Sequence, residues 1–185
     1  MAGTVSPVLK LESIIDWPDS ILSKGFKHMA LECCVVSLDS NNHKSGTNLK
    51  SDSSKTNIMP GPYILEWDLT VDDALKNTHR DENRTTDFGS MCLALLLANE
   101  LILANGIWMS SKKGEGVDFW LIDPMTFTAI ARLEISGLRK ETPSNTLANR
   151  IKVKLKQVEQ SDDSGVSAYI AIIEYSKPSA VFMPK

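Results

Sequence analysis

The chain has little of the residues that announce cofactor and redox chemistry. It carries three cysteines and three histidines in 185 residues. Cys33 and Cys34 are adjacent and Cys92 sits in an apolar run, so all three read as reduced core thiols rather than a disulfide framework. His28, His43 and His79 show no HxxxH or HExxH spacing, and no Cys/His zinc pattern occurs. GxxxxGK[ST] and GxSxG are missing, and Gly114-x-Gly116 lacks a third glycine, which disfavours nucleotide-binding loops and hydrolase serine chemistry. The longest apolar run, Met91 to Ala98, falls far short of the roughly 18 residues a membrane span needs, and no signal peptide is evident. A soluble, cytoplasmic protein with no membrane partner is expected.

An apolar content of 42% over this length suits one domain, residues 1–185, with a sizeable core. The net charge of -3 argues against a generally basic nucleic-acid coat. The charges are uneven, however. Met1 to Met109 holds 9 basic and 14 acidic residues, whereas Ser110 to Gln160 holds 9 basic and 6 acidic. A polyanion would be met by the second half.

Along the chain, Leu11 to Lys24 suggests a short helix around Trp17-Pro18. Met29 to Leu38 (MALECCVVSL) is dense in small and β-branched residues and reads as a strand; left exposed, that edge would support a homodimer. Residues 39–60 are rich in Ser, Asn and Lys and predict a long mobile loop, with His43 in it far from any ligand partner. Tyr63 to Leu69 alternates as a half-buried strand, on which Glu66 and Asp68 would join an acidic site only if their face turned inward. Asp72 and Asp73 open a short helix. Thr86-Asp87 cap a longer one, apolar nearly all round, that reaches about Ala104 and closes at Asn105-Gly106.

The stretch Gly114 to Gly137 places single carboxylates inside two apolar runs. In Val117 to Ile122, Asp118 shares a face with Trp120 and Ile122. In Phe127 to Ser136, Arg132, Glu134 and Ser136 share one face. A three-residue loop, Pro124 to Thr126, would put Asp118 opposite Arg132 and diagonal to Glu134, within reach of one ion. A different loop length would separate them. A basic connector then leads to a helix from Thr146 to about Gln160, with an apolar stripe of Leu147, Ile151, Leu155 and Val158. Ala168 to Tyr175 is a nearly continuous apolar strand, and Ser176 to Lys185 reads as an edge extension limited by two prolines.

From Thr85 to Phe182 the order is helix, three strands, helix, strand. That order, with Asp118 on one strand and Glu134 two residues before Ser136 on the next, resembles the PD-(D/E)XK nuclease-like superfamily. The resemblance implies an α/β (α+β) fold, a mixed β-sheet flanked by helices with a restriction-endonuclease-like core and an N-terminal strand and helix extension. It implies a metal-dependent endonuclease cutting DNA or RNA, with Mg²⁺ or Mn²⁺ held by Asp118, Glu134 and a helix acid, Asp87 or Glu100. Two departures stand out: Val117 precedes Asp118 where the family has Pro, and Ser136 occupies the place of the Lys. Arg132, Arg150 or Lys152 would then supply the missing cation. Arg150, Lys152, Lys154, Lys156 and the pair Lys112 and Lys113 are the candidate grips for a polyanion backbone. The ordinary alternative is that Glu134 and Asp118 form partly buried ion pairs and that the fold binds nucleic acid or protein without cutting.

Overall fold

In the computed structural model, which describes residues 6–51, 57–102 and 107–185, the chain forms a mixed α/β fold. Its elements are β1 (Val8–Lys10), α1 (Lys24–Ser40), β2 (Thr47–Ser51), β3 (Tyr63–Glu66), α2 (Asp73–Thr78), α3 (Glu82–Ile102), β4 (Ile107–Ser110), β5 (Phe119–Ile122), β6 (Ala129–Leu138), α4 (Leu147–Val158), β7 (Ser167–Glu174) and β8 (Ser179–Pro184). They build one eight-stranded sheet in the order β1-β3-β2-β8-β7-β6-β5-β4. β4, β5 and β6 form an antiparallel meander, and α4 carries the chain over to β7, which pairs parallel with β6.

The helices lie on both faces. α1 and α3 cover one side through a core of Leu93, Leu95, Leu97, Leu133, Ile135 and Phe182 among others, while α4 covers the other through Val158, Ile170, Ile172 and Val181. β6 accordingly sends Leu133 and Ile135 to the first core. Its alternate residues, Arg132, Glu134, Ser136 and Leu138, face α4. α3 crosses β6 closely at Gly137, where an added Cβ would lie 2.5 Å from Ser90 Oγ and 2.7 Å from Thr86 O. Only glycine admits that approach, and it brings Asp87 to the sheet end near β6.

Several elements differ from the sequence expectation, each for a physical reason. Met29 to Leu38 is the body of α1, a helix of 17 residues capped by Ser23, whose hydroxyl accepts the Phe26 amide. It lies against α3 and is wet on little of its surface, and an element buried nearly all round loses the 3.6-residue signature that separates helix from strand. The homodimer edge inferred there therefore does not exist. Leu11 to Ile14 is a single 3-10 turn, and the helix expected around Trp17-Pro18 is replaced by turns before α1.

Within the expected loop 39–60, Thr47–Ser51 is a sheet strand between β3 and β8, and only residues 52–56 fall outside the described part. His43 Nε2 lies 3.0 Å from Tyr175 O, a tether for the turn after α1. α3 begins earlier than expected, with Asp81 Oδ1 accepting the Asn83 and Arg84 amides, so Asp87 is not a cap but a second-turn residue. The expected stop at Asn105-Gly106 lies outside the described residues. β8 is interior, not an edge: β7 flanks it antiparallel and β2 parallel. Glu66 sits four strands from β6, roughly 19 Å away at the usual strand spacing, which removes it from any site there. Among the described residues no helix is long and apolar enough to cross a membrane.

Candidate functional site

The β5–β6 turn is longer than three residues. Asp123 caps it, accepting the Met125 amide at 2.8 Å, and a bulge separates Leu121 from Ile122 opposite β6. Trp120, not Asp118, therefore pairs with Arg132, and Phe119 pairs with Leu133. The ladder end then becomes irregular: the Asp118 amide donates to Leu133 O at 2.9 Å, and the Asp118 carboxylate Oδ2 accepts the Ile135 amide at 2.8 Å. The side chain takes the hydrogen bond a strand residue would have supplied. Asp118 thereby stands beside Glu134, closer than the diagonal the sequence implied.

Glu134 is fully buried, and its Oε2 has no hydrogen-bond partner. Its Oε1 receives Lys154 Nζ, from the middle of α4. Burial pushes the Glu134 carboxyl up to about 7; the Asp118 carboxylate adds to the rise and Lys154 opposes it. Asp118 is raised too, mainly by burial, with the Ile135 amide and Lys154 pulling it down and Asp87 pushing it up. Asp87 on α3 rises through partial loss of water, against the pull of Arg150 and Lys154. Three carboxylates and two cations thus share one field.

Among the described residues, no three His, Cys, Asp or Glu side chains converge as a ready metal cage. Asp87 reaches the site electrostatically without completing a three-donor set. The donor chemistry nonetheless fits a hard divalent ion. Asp118 and Glu134 are adjacent oxygen donors, one of them with an orphaned buried oxygen, and such an ion keeps several waters and needs only one or two carboxylates.

The remaining expected residues divide. Arg132 is buried but points away from the carboxylates: its guanidinium donates to Val166 O at 3.0 Å and Val158 O at 3.1 Å and pairs with Asp162 at 2.6 Å. It is a clamp between β6 and the turn after α4, not a surrogate for the missing Lys. Lys152 is exposed on the outer side of α4 and takes no part. Ser136 lies at the site's margin, its Oγ 3.4 Å from Arg150 Nη1, while Arg150 Nε donates to Asn145 at 2.7 Å. Glu100 is exposed near the other end of α3.

The residue whose place beside the carboxylates the sequence did not indicate is Lys154, expected only as one of the grips for a polyanion backbone. Its signal was its spacing: Arg150, Lys154 and Gln157 recur at i, i+4 and i+7, one residue behind the apolar stripe Ile151, Leu155 and Val158. A polar row that close to the buried stripe faces the sheet margin rather than bulk water.

Two cavities flank the cluster. One, of about 510 Å³, is lined by Phe88, Lys112, Lys113, Asp118 and Gln157 among others. The other, of about 540 Å³, is lined by Asp87, Gly137, Arg139, Lys140, Asn145 and Arg150 among others. Both therefore join a carboxylate to a basic rim. Comparison of the chain with family models, with curated proteins and with solved structures finds no match to any of them.

Proposed function

We propose that this chain is a metal-dependent nuclease of the PD-(D/E)XK nuclease-like kind, hydrolysing phosphodiester bonds of DNA or RNA. One observation carries the reading: Lys154 Nζ rests on Glu134 beside Asp118, so α4 supplies the cation that the strand position Ser136 lacks. The helix, antiparallel meander, helix crossover and parallel strand around it support the same family likeness. Asp118 and Glu134 are the residues to hold Mg²⁺ or Mn²⁺. A bound ion of that kind polarises a phosphoryl oxygen and acidifies a water.

The chain's own groups do the rest. Lys154 places its amine in a water-poor site where negative charge would gather on the phosphate, the condition under which a cationic side chain is worth most. Arg150, braced by Asn145 and Ser136, presents a guanidinium fork suited to a phosphate. Lys112, Lys113, Arg139 and Lys140 rim the two flanking cavities and draw the polyanion in.

A second reading, an inactive nuclease-like domain that binds nucleic acid or protein, is favoured by the same ion pair, because Lys154 already satisfies one Glu134 oxygen. Titration of Mn²⁺ by calorimetry into the wild type and Glu134→Gln, both first shown to melt cooperatively, separates the two. Saturable binding lost in the variant, followed by metal-dependent cleavage of DNA or RNA lost with it, upholds the nuclease. A folded wild type that binds no Mn²⁺ leaves the binding module.

A further inference from the structure

A third cavity, of about 540 Å³, lies between the C-terminal end of α1, the α2–α3 connection and the residue following β6. Its size falls in the range of small-molecule sites. Four cations line it, Lys44, Lys76, Arg80 and Arg139, against two carboxylates, Asp39 and Glu82. Asp39 is spanned by Lys44 at 3.1 Å and Lys76 at 3.0 Å, and Glu82 is taken by Arg139. Arg80 has no ion-pair partner among the described residues, so the lining keeps a surplus of two positive charges in a chain whose net charge is negative.

Hydroxyls complete the lining. Ser40 Oγ donates to Ser37 O at 3.0 Å and Thr86 Oγ1 to Glu82 O at 2.7 Å, so both oxygens keep lone pairs for hydroxyl donors. Ser37, Thr85 and Thr86 are nearly inaccessible and give the cavity a fixed polar wall. The fourth wall is His79, held by Glu32 at 2.9 Å on Nε2 and facing Cys33 Sγ at 3.3 Å on Nδ1. That row has the connectivity of a thiol–imidazole–carboxylate relay, but burial pushes the Cys33 thiol up to about 12 and the group is inert. His79 closes this side of the cavity.

We propose that this cavity is a binding site for a phosphate monoester carrying a polyhydroxylated body, such as a nucleoside 5′-monophosphate. A monoester bears close to two negative charges at neutral pH, which matches the surplus, and a ribose hydroxyl matches the exposed Ser40 oxygen. The cavity shares Thr86 and Arg139 with the one that reaches Asp87, so the same phosphate could arrive as a free nucleotide or as the 5′ end of a strand lying toward Asp118. Neither Asp118 nor Glu134 lines it, so the site stands or falls independently of the metal reading.

The test is calorimetry in EDTA with a nucleoside 5′-monophosphate and its parent nucleoside, and with one short oligonucleotide bearing either a 5′-phosphate or a 5′-hydroxyl. The proteins are the wild type, the Arg80→Ala/Lys76→Ala double variant, Lys24→Ala at the opposite, N-terminal end of α1 as an outside control, and Glu134→Gln. Binding of the monophosphate but not the nucleoside, weakened at least tenfold in the double variant alone, upholds the site with a free nucleotide as source. Preference only for the 5′-phosphorylated oligonucleotide, with the same variant dependence, upholds it with a strand end as source. No preference for the phosphorylated form in either pair, or a preference unchanged in the double variant, overturns it.

Discussion

Glu134 offers the sharpest physical test, because its two readings place its titration in different pH windows. Its carboxyl is raised from the ordinary 4.5 to about 7 in the folded chain. Below about pH 4.5 the group is protonated in both folded and unfolded states and contributes nothing. Between 4.5 and 7 the folded state binds more protons than the unfolded, so stability falls as pH rises, and above 7 the full cost is present. Over that interval, at about 1.4 kcal/mol per pH unit, the cost reaches roughly 3 kcal/mol. Glu134 is fully buried, so solvent screening does not reduce it. Glu134→Gln keeps an acceptor for Lys154 and removes the titration. Thermal melts of both proteins in EDTA from pH 5 to pH 8 should therefore diverge, the wild type falling behind the variant by roughly 6–12 °C at the upper end. A constant difference would refute the raised carboxyl. That constant difference is what a depressed carboxyl gives, because its titration is complete below about pH 4.5, and it would mark a tight structural ion pair rather than a site kept under charge tension.

Removing the cation instead, by Lys154→Met, leaves Glu134 without its counter-charge; breaking a buried pair costs roughly 3–5 kcal/mol when the partner stays charged, and protonation should relieve much of it, so melts at pH 8 should suffer more than at pH 5. Arg132→Ala removes the charged donor from the Val158 and Val166 carbonyls, leaving Val158 O the long Ser161 Oγ bond of 3.4 Å, and should cost roughly 2–4 kcal/mol in denaturant unfolding, while the Mn²⁺ affinity expected under the proposed reading stays within a factor of about two; lost metal binding with retained stability would restore Arg132 to the site. Lys152→Ala, on the exposed side of α4, should change stability by no more than about 0.5 kcal/mol and, under the proposed nuclease reading, leave cleavage intact. Gly137→Ala forces a Cβ against Ser90 and Thr86 and should cost roughly 1–3 kcal/mol by calorimetric melting, with α3 pushed away from the site end of β6.

What could be read from the sequence follows from where each signal is local. The fold class was legible from the alternation of helical and strand patterns after Thr85, and Asp118 and Glu134 stood out because a carboxylate inside a β-branched run is costly unless something holds it. Their mutual placement was not fixed, since it depends on a bulge at Leu121/Ile122 and on Asp118 leaving the ladder to bond Ile135 through its side chain. Met29 to Leu38 was misread because its amphipathic signature is erased by α3 on one side and the N-terminal turns on the other. β2 was invisible because Thr47–Ser51 buries only Leu49 deeply; the strand is held by its neighbours on both sides, not by its own composition.

Lys154 shows why the site's charge balance is a tertiary property. The strand position at which the nuclease-like resemblance expects a lysine holds Ser136, too short and neutral to meet Glu134, and the nearest basic residue on that strand, Arg132, is consumed by carbonyls and a carboxylate at the end of α4 and the turn after it. The parallel β6–β7 pairing requires a crossover, and α4 is that crossover, lying over the face from which Glu134 projects. Once Ile151, Leu155 and Val158 seat the helix on that face, the residue one step before Leu155 is set at the margin of the contact, and its four-carbon stem spans the remaining distance. The cation at Glu134 is thus placed by the same apolar stripe that closes the second core, so the packing of α4 and the electrostatics of the carboxylates are one structural variable.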